Sequence, residues 1–236
     1  MLYGYLATVD VPGDTAQAAE RAKFFYRKIF RILKWGRVMQ EKEVLFVLLD
    51  QFSDWEAAPL ASVLNELSPG RVKTMAPTKE PIFSKGGFCV LPDYEFASYS
   101  GEFDALILIG SRAWRKEGSK VALPFVQQAV KRGKVLGAIC GATVFLGMNG
   151  FLNEASHTSN SLEDLRAASG ERYTGQSRYL AQQAVRDNTL ITANGSAFLE
   201  FAREVLLSLN AAPVEEIEEW YRLLKLGQYE AQKVGE

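Results

Sequence analysis

The chain has one histidine, His157, among 236 residues. Any chemistry that pairs a cysteine with a histidine must use it, and a His-rich metal site is excluded. Cysteine is nearly as scarce. Cys89 and Cys140 stand without the repeated spacing of a disulfide framework or a zinc cluster, a usage that suits a reducing, cytoplasmic compartment. An excess of charge of one sign is also missing. The formal net charge of -1 removes any global electrostatic case for nucleic acid or an anionic membrane as partner. The longest uninterrupted apolar runs are about half a dozen residues, against the roughly 18 to 20 needed to span a bilayer, so no integral membrane segment is expected. There is no internal repeat and no low-complexity tract.

What is present, 47% hydrophobic and 23% charged residues, suffices for one sizeable buried core. The first stretch differs from the rest. Residues 1–38 hold seven Lys or Arg against three Asp or Glu, whereas residues 39–236 hold 20 against 25. Within 21–37, Phe25, Ile29 and Ile32 or Leu33 recur at helical spacing with Arg21, Arg27, Lys28 and Arg31 between them, the pattern of a basic amphipathic helix. Three readings stay open for it: an interfacial or partner-binding helix, a targeting segment, or an extension outside the fold. The folded domain is expected over 39–236.

From residue 43 the pattern becomes regular. "EVLFVLL" (43–49), "RVKTMA" (71–76), "ALILIG" (105–110) and "KVLGAI" (134–139) read as strands buried on both faces of a parallel sheet. Helices are expected at 54–67, with Ser53 or Asp54 as cap, and at 119–132, with Ser119 as cap. Strand and helix in alternation give an α/β, doubly wound layer. Two stretches break the alternation: 81–93, with Gly86-Gly87 between apolar runs, and 182–193, around Asp187-Asn188, both of hairpin character. Helices at 196–209 and 213–226 close the chain, the second introduced by Pro213 with Glu215 and Glu216 in its first turn.

In open parallel sheets ligands sit beyond the carboxyl ends of the strands, and Cys140 lies directly after "KVLGAI". Ala138 and Ala142 flank it, as a sharp strand-to-helix elbow requires, and a sulfur at a helix start is biased towards thiolate. The competing reading is an inert core cysteine. Glu56, at the end of the first strand, is the candidate carboxylate partner, although Ser53-Asp-Trp-Glu56 also has the spacing of a capping box. Gly110-Ser111 supplies a turn whose amides face an oxyanion or simply turn the chain. His157, 17 residues beyond Cys140 in the polar "NEASHTSN", is either a general acid or base or a surface histidine.

These residues, taken in order, resemble the ThiJ/PfpI superfamily: "AICGA" after a buried strand, the early "DWE", "DALILIG", "GGFCVLPD" and the late "LITANGSAFLEFAREVL". The resemblance covers residues 43–210 and implies a flavodoxin-like sandwich of helices around a mostly parallel sheet, kinship with class I glutamine amidotransferases, and a homodimer. It places Cys140 on the elbow nucleophile, a reactive and easily oxidised thiol in many members, and Glu56 on the acid that hydrogen-bonds that sulfur. Gly110, Ser111 and Gly141 fall where backbone amides form an anion or oxyanion site.

The departures are informative as well. In the protease-like branch a histidine directly follows the cysteine, and here Gly141 does. Glutamine-hydrolysing relatives carry a late His-x-Glu pair, which this chain lacks. In the branch of the Parkinson's-disease-associated redox protein a Thr-His-Pro histidine approaches the cysteine. Here "HTSN" occupies that region, with Asn160 nearer the expected position and His157 three residues earlier. "HTSN" is similar to a bacterial subgroup described as amidotransferase-like or as proteases.

Three functions follow. One is a hydrolase or lyase without cofactor or metal, in which the Cys140 thiolate attacks a small electrophile such as an α-oxoaldehyde or amide, Glu56 moves a proton, and His157 assists; peptidase and glutaminase activity are not expected. Another is a non-enzymatic, redox-responsive protective protein whose Cys140 oxidises to a sulfinate. The third is a partner-binding module acting through the basic N-terminal helix.

Overall fold

A strand that is apolar at every position is stable only with both faces covered, and the stretches of that kind occupy the middle of the sheet. The computed structural model describes residues 43–67 and 71–233. The expected basic extension, 1–38, lies outside the described residues. The elements run β1 (Val44–Val47), α1 (Asp54–Leu67), β2 (Val72–Ala76), β3 (Ile82–Phe83), β4 (Cys89–Val90), β5 (Tyr94–Glu95), β6 (Ala105–Leu108), α2 (Leu123–Lys131), β7 (Val135–Ile139) and α3 (Gly141–Met148). Then come α4 (Leu162–Ser169), β8 (Ala184–Asp187), β9 (Leu190–Ala193), α5 (Phe198–Ser208), α6 (Val214–Leu226) and α7 (Gln228–Lys233).

Seven strands form one sheet in the order β5-β2-β1-β6-β7-β9-β8, parallel throughout except where β8 runs against β9. Alternate residues of the central strands divide between two cores. Val44, Phe46, Ile107 and Ile139 pack with Leu60 and Leu64 of α1 and Phe201 and Val205 of α5. Leu45, Val47, Leu108 and Ala138 pack on the other face with Val126 of α2, Phe145 of α3 and the buried Trp114. Helix α5 comes close to the sheet because β7 carries Gly137, where a Cβ would stand 2.9 Å from Phe201 Cζ. The α/β, doubly wound, flavodoxin-like sandwich expected from the sequence is the one observed.

Chain order reverses between β1 and β6, the neighbours from which successive crossovers run outwards in opposite directions, and ligands of open α/β sheets sit beyond the carboxyl ends at such a point. Both hairpin-like excursions are present. β3 and β4 pair antiparallel across a turn in which Gly87 takes φ 83°, and β8 and β9 pair across Asn188 at φ 55°. The helix expected over 119–132 differs. A 3-10 segment occupies Glu117–Ala122 and the α-helix starts only at Leu123, with Pro124 in its first turn. Proline has no N–H to give to a preceding turn, so the α-helix begins at it rather than running through it. Ser119 is buried, and its hydroxyl donates to the carbonyls of Trp114 and Lys116 instead of capping α2.

Between β7 and α3 the backbone of Cys140 takes φ 58° and ψ -124°, a conformation natural to glycine and costly for any residue with a Cβ. Its amide is held by the Ala193 carbonyl at 2.9 Å, and Ala138 and Ala142 on either side are fully buried. The strain gives an expected inversion. Cys140→Gly should be more stable than Cys140→Ala by about 1 kcal/mol in denaturant unfolding, the reverse of the usual order. An alanine variant equal to or better than the glycine variant would show that the elbow is unstrained.

Candidate active site

Four strand ends supply the site. After β1, Ser53 donates its amide to the Gly110 carbonyl at 2.9 Å, locking the β1 and β6 turns together. Glu56, in the first turn of α1, thereby faces the turn after β6 and is only 1% exposed. Its Oε2 accepts the Gly110 N–H at 2.9 Å, while Oε1 has no hydrogen-bond partner. Burial, the largest influence, pushes the Glu56 carboxyl above the usual glutamate range, against the pull of Ser53, the Gly110 N–H, Cys140 and Lys85. The protein interior thus favours Glu56 as a neutral acid.

Cys140 stands next to it, half-buried on the elbow. A Cβ built on Gly195 would lie 2.9 Å from Cys140 Sγ and 3.2 Å from Glu56 Oε1, so the sulfur and the carboxyl border the same glycine. Asn160 Nδ2 donates to the sulfur at 3.2 Å, and Asn160 Oδ1 accepts the Gly195 N–H at 2.8 Å. The Gly195 carbonyl accepts the indole N–H of Trp55 at 3.1 Å. At the rim, Lys85 Nζ donates to Ser53 Oγ at 2.8 Å and lies 5.3 Å from the Trp55 ring centroid.

Burial pushes the Cys140 thiol up, and the charge of an ionised Glu56 pushes it further, whereas the Asn160 amide and the Gly141 N–H pull it down. The upward balance differs from the thiolate bias expected at a helix start, because removal from water and a neighbouring carboxylate outweigh the helix end. Only the second of these eases when Glu56 keeps its proton, since no negative charge then faces the sulfur, while the cost of burial stays.

Of the residues singled out in the sequence, Cys140, Glu56, Gly110, Ser111 and Gly141 come together. Their parts differ from expectation in detail. The Gly110 N–H is already given to Glu56, so it anchors the acid rather than waiting for an oxyanion. A side chain at residue 110 would occupy the space of the Glu56 carboxylate and Cys140 Cβ. Ser111 Oγ donates to the Asp50 carbonyl at 2.6 Å and accepts the Ala113 N–H, capping the 3-10 turn Arg112–Arg115. Gly141 lets α3 approach the Ser111 carbonyl, where a Cβ would collide.

His157 is not brought to the sulfur. The imidazole is fully buried, with Nδ1 at 2.7 Å from the Ala155 carbonyl and Nε2 at 2.6 Å from the Tyr173 hydroxyl. A carbonyl only accepts, so Nδ1 carries the proton and the Nε2 lone pair receives the Tyr173 O–H. Both nitrogens are committed, which leaves none to act as base on Cys140. Sequence reasoning set Asn160 near the position from which the histidine of other branches approaches the cysteine but gave it no role, and it did not select Gly195 or Trp55. The Asn194-Gly195 pair directly after β9 was the available signal, by the same rule of strand ends that pointed to Cys140. Among the described residues no group of three or more His, Cys, Asp or Glu is placed to hold a metal, and no helix is long and apolar enough to cross a membrane.

The sequence model of the DJ-1/PfpI family matches residues 42–208. The chain is similar to two Bacillus subtilis proteins named "Uncharacterized protease YdeA" and "Uncharacterized protease YoaZ". The first is 37% identical over 192 residues, 80% of this chain and 93% of the relative. The second is 35% identical over 195 residues, 79% and 92% of the two lengths. Among solved structures, a thiJ/pfpI family protein from Bacillus anthracis superposes with a TM-score of 0.77 at 35% identity, covering 82% of this chain and 94% of that one.

Burial holds the His157 imidazole below the usual histidine range, with the Ala155 carbonyl opposing. The folded state therefore binds this proton less readily than the unfolded chain does. Its contribution to stability is present above the ordinary value of 6.5 and is lost as pH falls through the folded value. Because the chain has a single histidine, one imidazole C2–H resonance reports on it. That resonance should titrate with a midpoint below 6.5, and a midpoint at or above it would show an imidazole outside this cluster.

Proposed function

The chain belongs to the DJ-1/PfpI family, and on that premise we propose that it is a cofactor-independent enzyme that uses Cys140 as nucleophile on small carbonyl electrophiles, with α-oxoaldehydes as the substrate class. The observation that carries this reading is the buried Glu56, whose unpartnered Oε1 borders the same glycine as a half-exposed sulfur on a strained elbow. One proton serves the two acidic groups: Glu56 takes it from the Cys140 thiol as the sulfur attacks, and Asn160 and the Gly141 N–H hold the thiolate that forms.

The thiolate bonds to the aldehyde carbon, and the oxygen that becomes an alkoxide takes the Glu56 proton. The Glu56 carboxylate next removes the hydrogen on that carbon and delivers it to the neighbouring carbonyl carbon, while the hydroxyl proton of the first carbon passes to the second oxygen. The result is a thioester of a 2-hydroxy acid. Glu56 then draws a proton from water as the water oxygen displaces sulfur and returns that proton to the departing thiolate, restoring the starting pair and releasing the 2-hydroxy acid. One water is consumed and no external oxidant or reductant takes part.

A second reading has its own support. The Asn160 amide and the Gly141 N–H both point hydrogen at the sulfur, as the oxygens of a sulfinate would require. Peroxide delivers one oxygen and releases one water in each of two steps. Residues 1–38 are read as a basic segment appended to the domain at 39–236, a division supported by a family match that begins at residue 42. A cytoplasmic homodimer completes the proposal, supported by family membership and by the two unpaired cysteines.

With methylglyoxal as substrate and lactate as readout, Cys140→Ala should abolish turnover and Glu56→Gln should lower it by about 100-fold or more. Equal rates in wild type and Cys140→Ala would remove the enzymatic reading. Under graded hydrogen peroxide, intact-mass spectrometry should show two oxygens added at Cys140, and a protein that takes up none at that residue would sink the redox reading.

A further inference from the structure

Asn160 is exposed, and an exposed asparagine ordinarily samples several rotamers. Here it bridges Cys140 Sγ and the Gly195 N–H at once, which demands that its backbone be fixed by something else. The three residues before it are all buried, and each has its own anchor. The Thr158 N–H donates to Thr192 Oγ1 at 2.9 Å, and the Thr158 hydroxyl donates to the Gln182 carbonyl. Ser159 Oγ meets Thr143 Oγ1 at 2.7 Å, and Thr143 in turn donates to the Cys140 carbonyl at 2.6 Å. His157 is pinned by backbone as well as by side chain. Its N–H goes to the Arg178 carbonyl, its carbonyl receives the Leu180 N–H at 2.8 Å, and its ring sits edge-on to Tyr173 and Tyr179. Tyr179 also donates its hydroxyl to the Ser159 carbonyl at 3.3 Å.

We propose that His157 and Tyr173 form a strut that sets the Asn160 amide against Cys140, so that His157 is a positioning residue for the nucleophile and acts on it only through Asn160. The inference rests on the reading of Cys140 as the reacting group. Its geometry is directional. The Tyr173 ring is embedded in the core on the α3 face of the sheet, so the hydroxyl is a fixed point from which the imidazole, and the three residues that follow it, take their position. Glu56 is the acid facing the sulfur, and Tyr173 and Tyr179 face the imidazole.

The test reads the pH profile of iodoacetamide alkylation at Cys140, resolved from Cys89 by peptide mass spectrometry. Asn160→Ala should raise the alkylation midpoint by about 0.5 to 1 pH unit, the loss of one hydrogen bond to a thiolate. Tyr173→Phe keeps the ring packing and removes only the hydroxyl, which guards against a variant that fails to fold. It should shift the midpoint in the same direction, and the double variant Tyr173→Phe/Asn160→Ala should match Asn160→Ala alone. Tyr173→Phe that lowers Tm while leaving the midpoint at its wild-type value would overturn the strut, as would shifts that add in the double variant. The two readings fail separately. Methylglyoxal turnover that ignores Cys140 defeats the enzyme and leaves the midpoint shift, whereas Cys140-dependent turnover with an unmoved midpoint in Tyr173→Phe defeats the strut alone.

Discussion

A carboxyl group with 1% exposure, one oxygen tied to a backbone N–H and the other untied beside a sulfur, sets terms for everything around it. Ionising such a group away from water is expensive, so Glu56 favours its proton, and a proton kept there relieves the repulsion that raises the thiol. The surrounding chain follows from that arrangement. Residue 110 has no room for a side chain because the carboxylate fills the space. Ser53 must bind the Gly110 carbonyl so that the first turn of α1 faces inwards. The adjacency of β1 and β6, itself a consequence of strands too apolar to lie at an edge, brings those two turns within reach.

The elbow at Cys140 stores strain that a looser scaffold would relax. It persists because β7 is paired on both sides, the Cys140 amide is held by Ala193, and α3 leans on the Ser111 carbonyl across Gly141. The sulfur is presented because the backbone beneath it has no alternative conformation in which the sheet stays intact.

The central sheet was legible in the sequence because four stretches are apolar at every position, a pattern that only a doubly covered parallel strand explains. Cys140 and Glu56 were legible by the strand-end rule together with the resemblance. What escaped did so for local reasons. A capping serine at residue 119 looked sufficient to start α2, but Pro124 moved the start to Leu123. The polar company of His157 suggested a surface loop, and the partners that bury it, Tyr173 and Tyr179, belong to a segment with no strand or α-helix of its own. Asn160 carries no signature in isolation. Its meaning comes from the Gly195 amide, 35 residues away in sequence and adjacent in space.

The hydrogen bond from Trp55 to the Gly195 carbonyl joins residues 140 positions apart. The segments after the first and last strands thus meet, with Cys140 beside them. During synthesis the elbow segment leaves the ribosome well before β9 does, so a nascent chain carries its cysteine without the asparagine–glycine cradle that disciplines it. The thiol acquires these surroundings only when the last strands dock, so a Cys140 bridged by Asn160 to Gly195 marks a domain that has been completed.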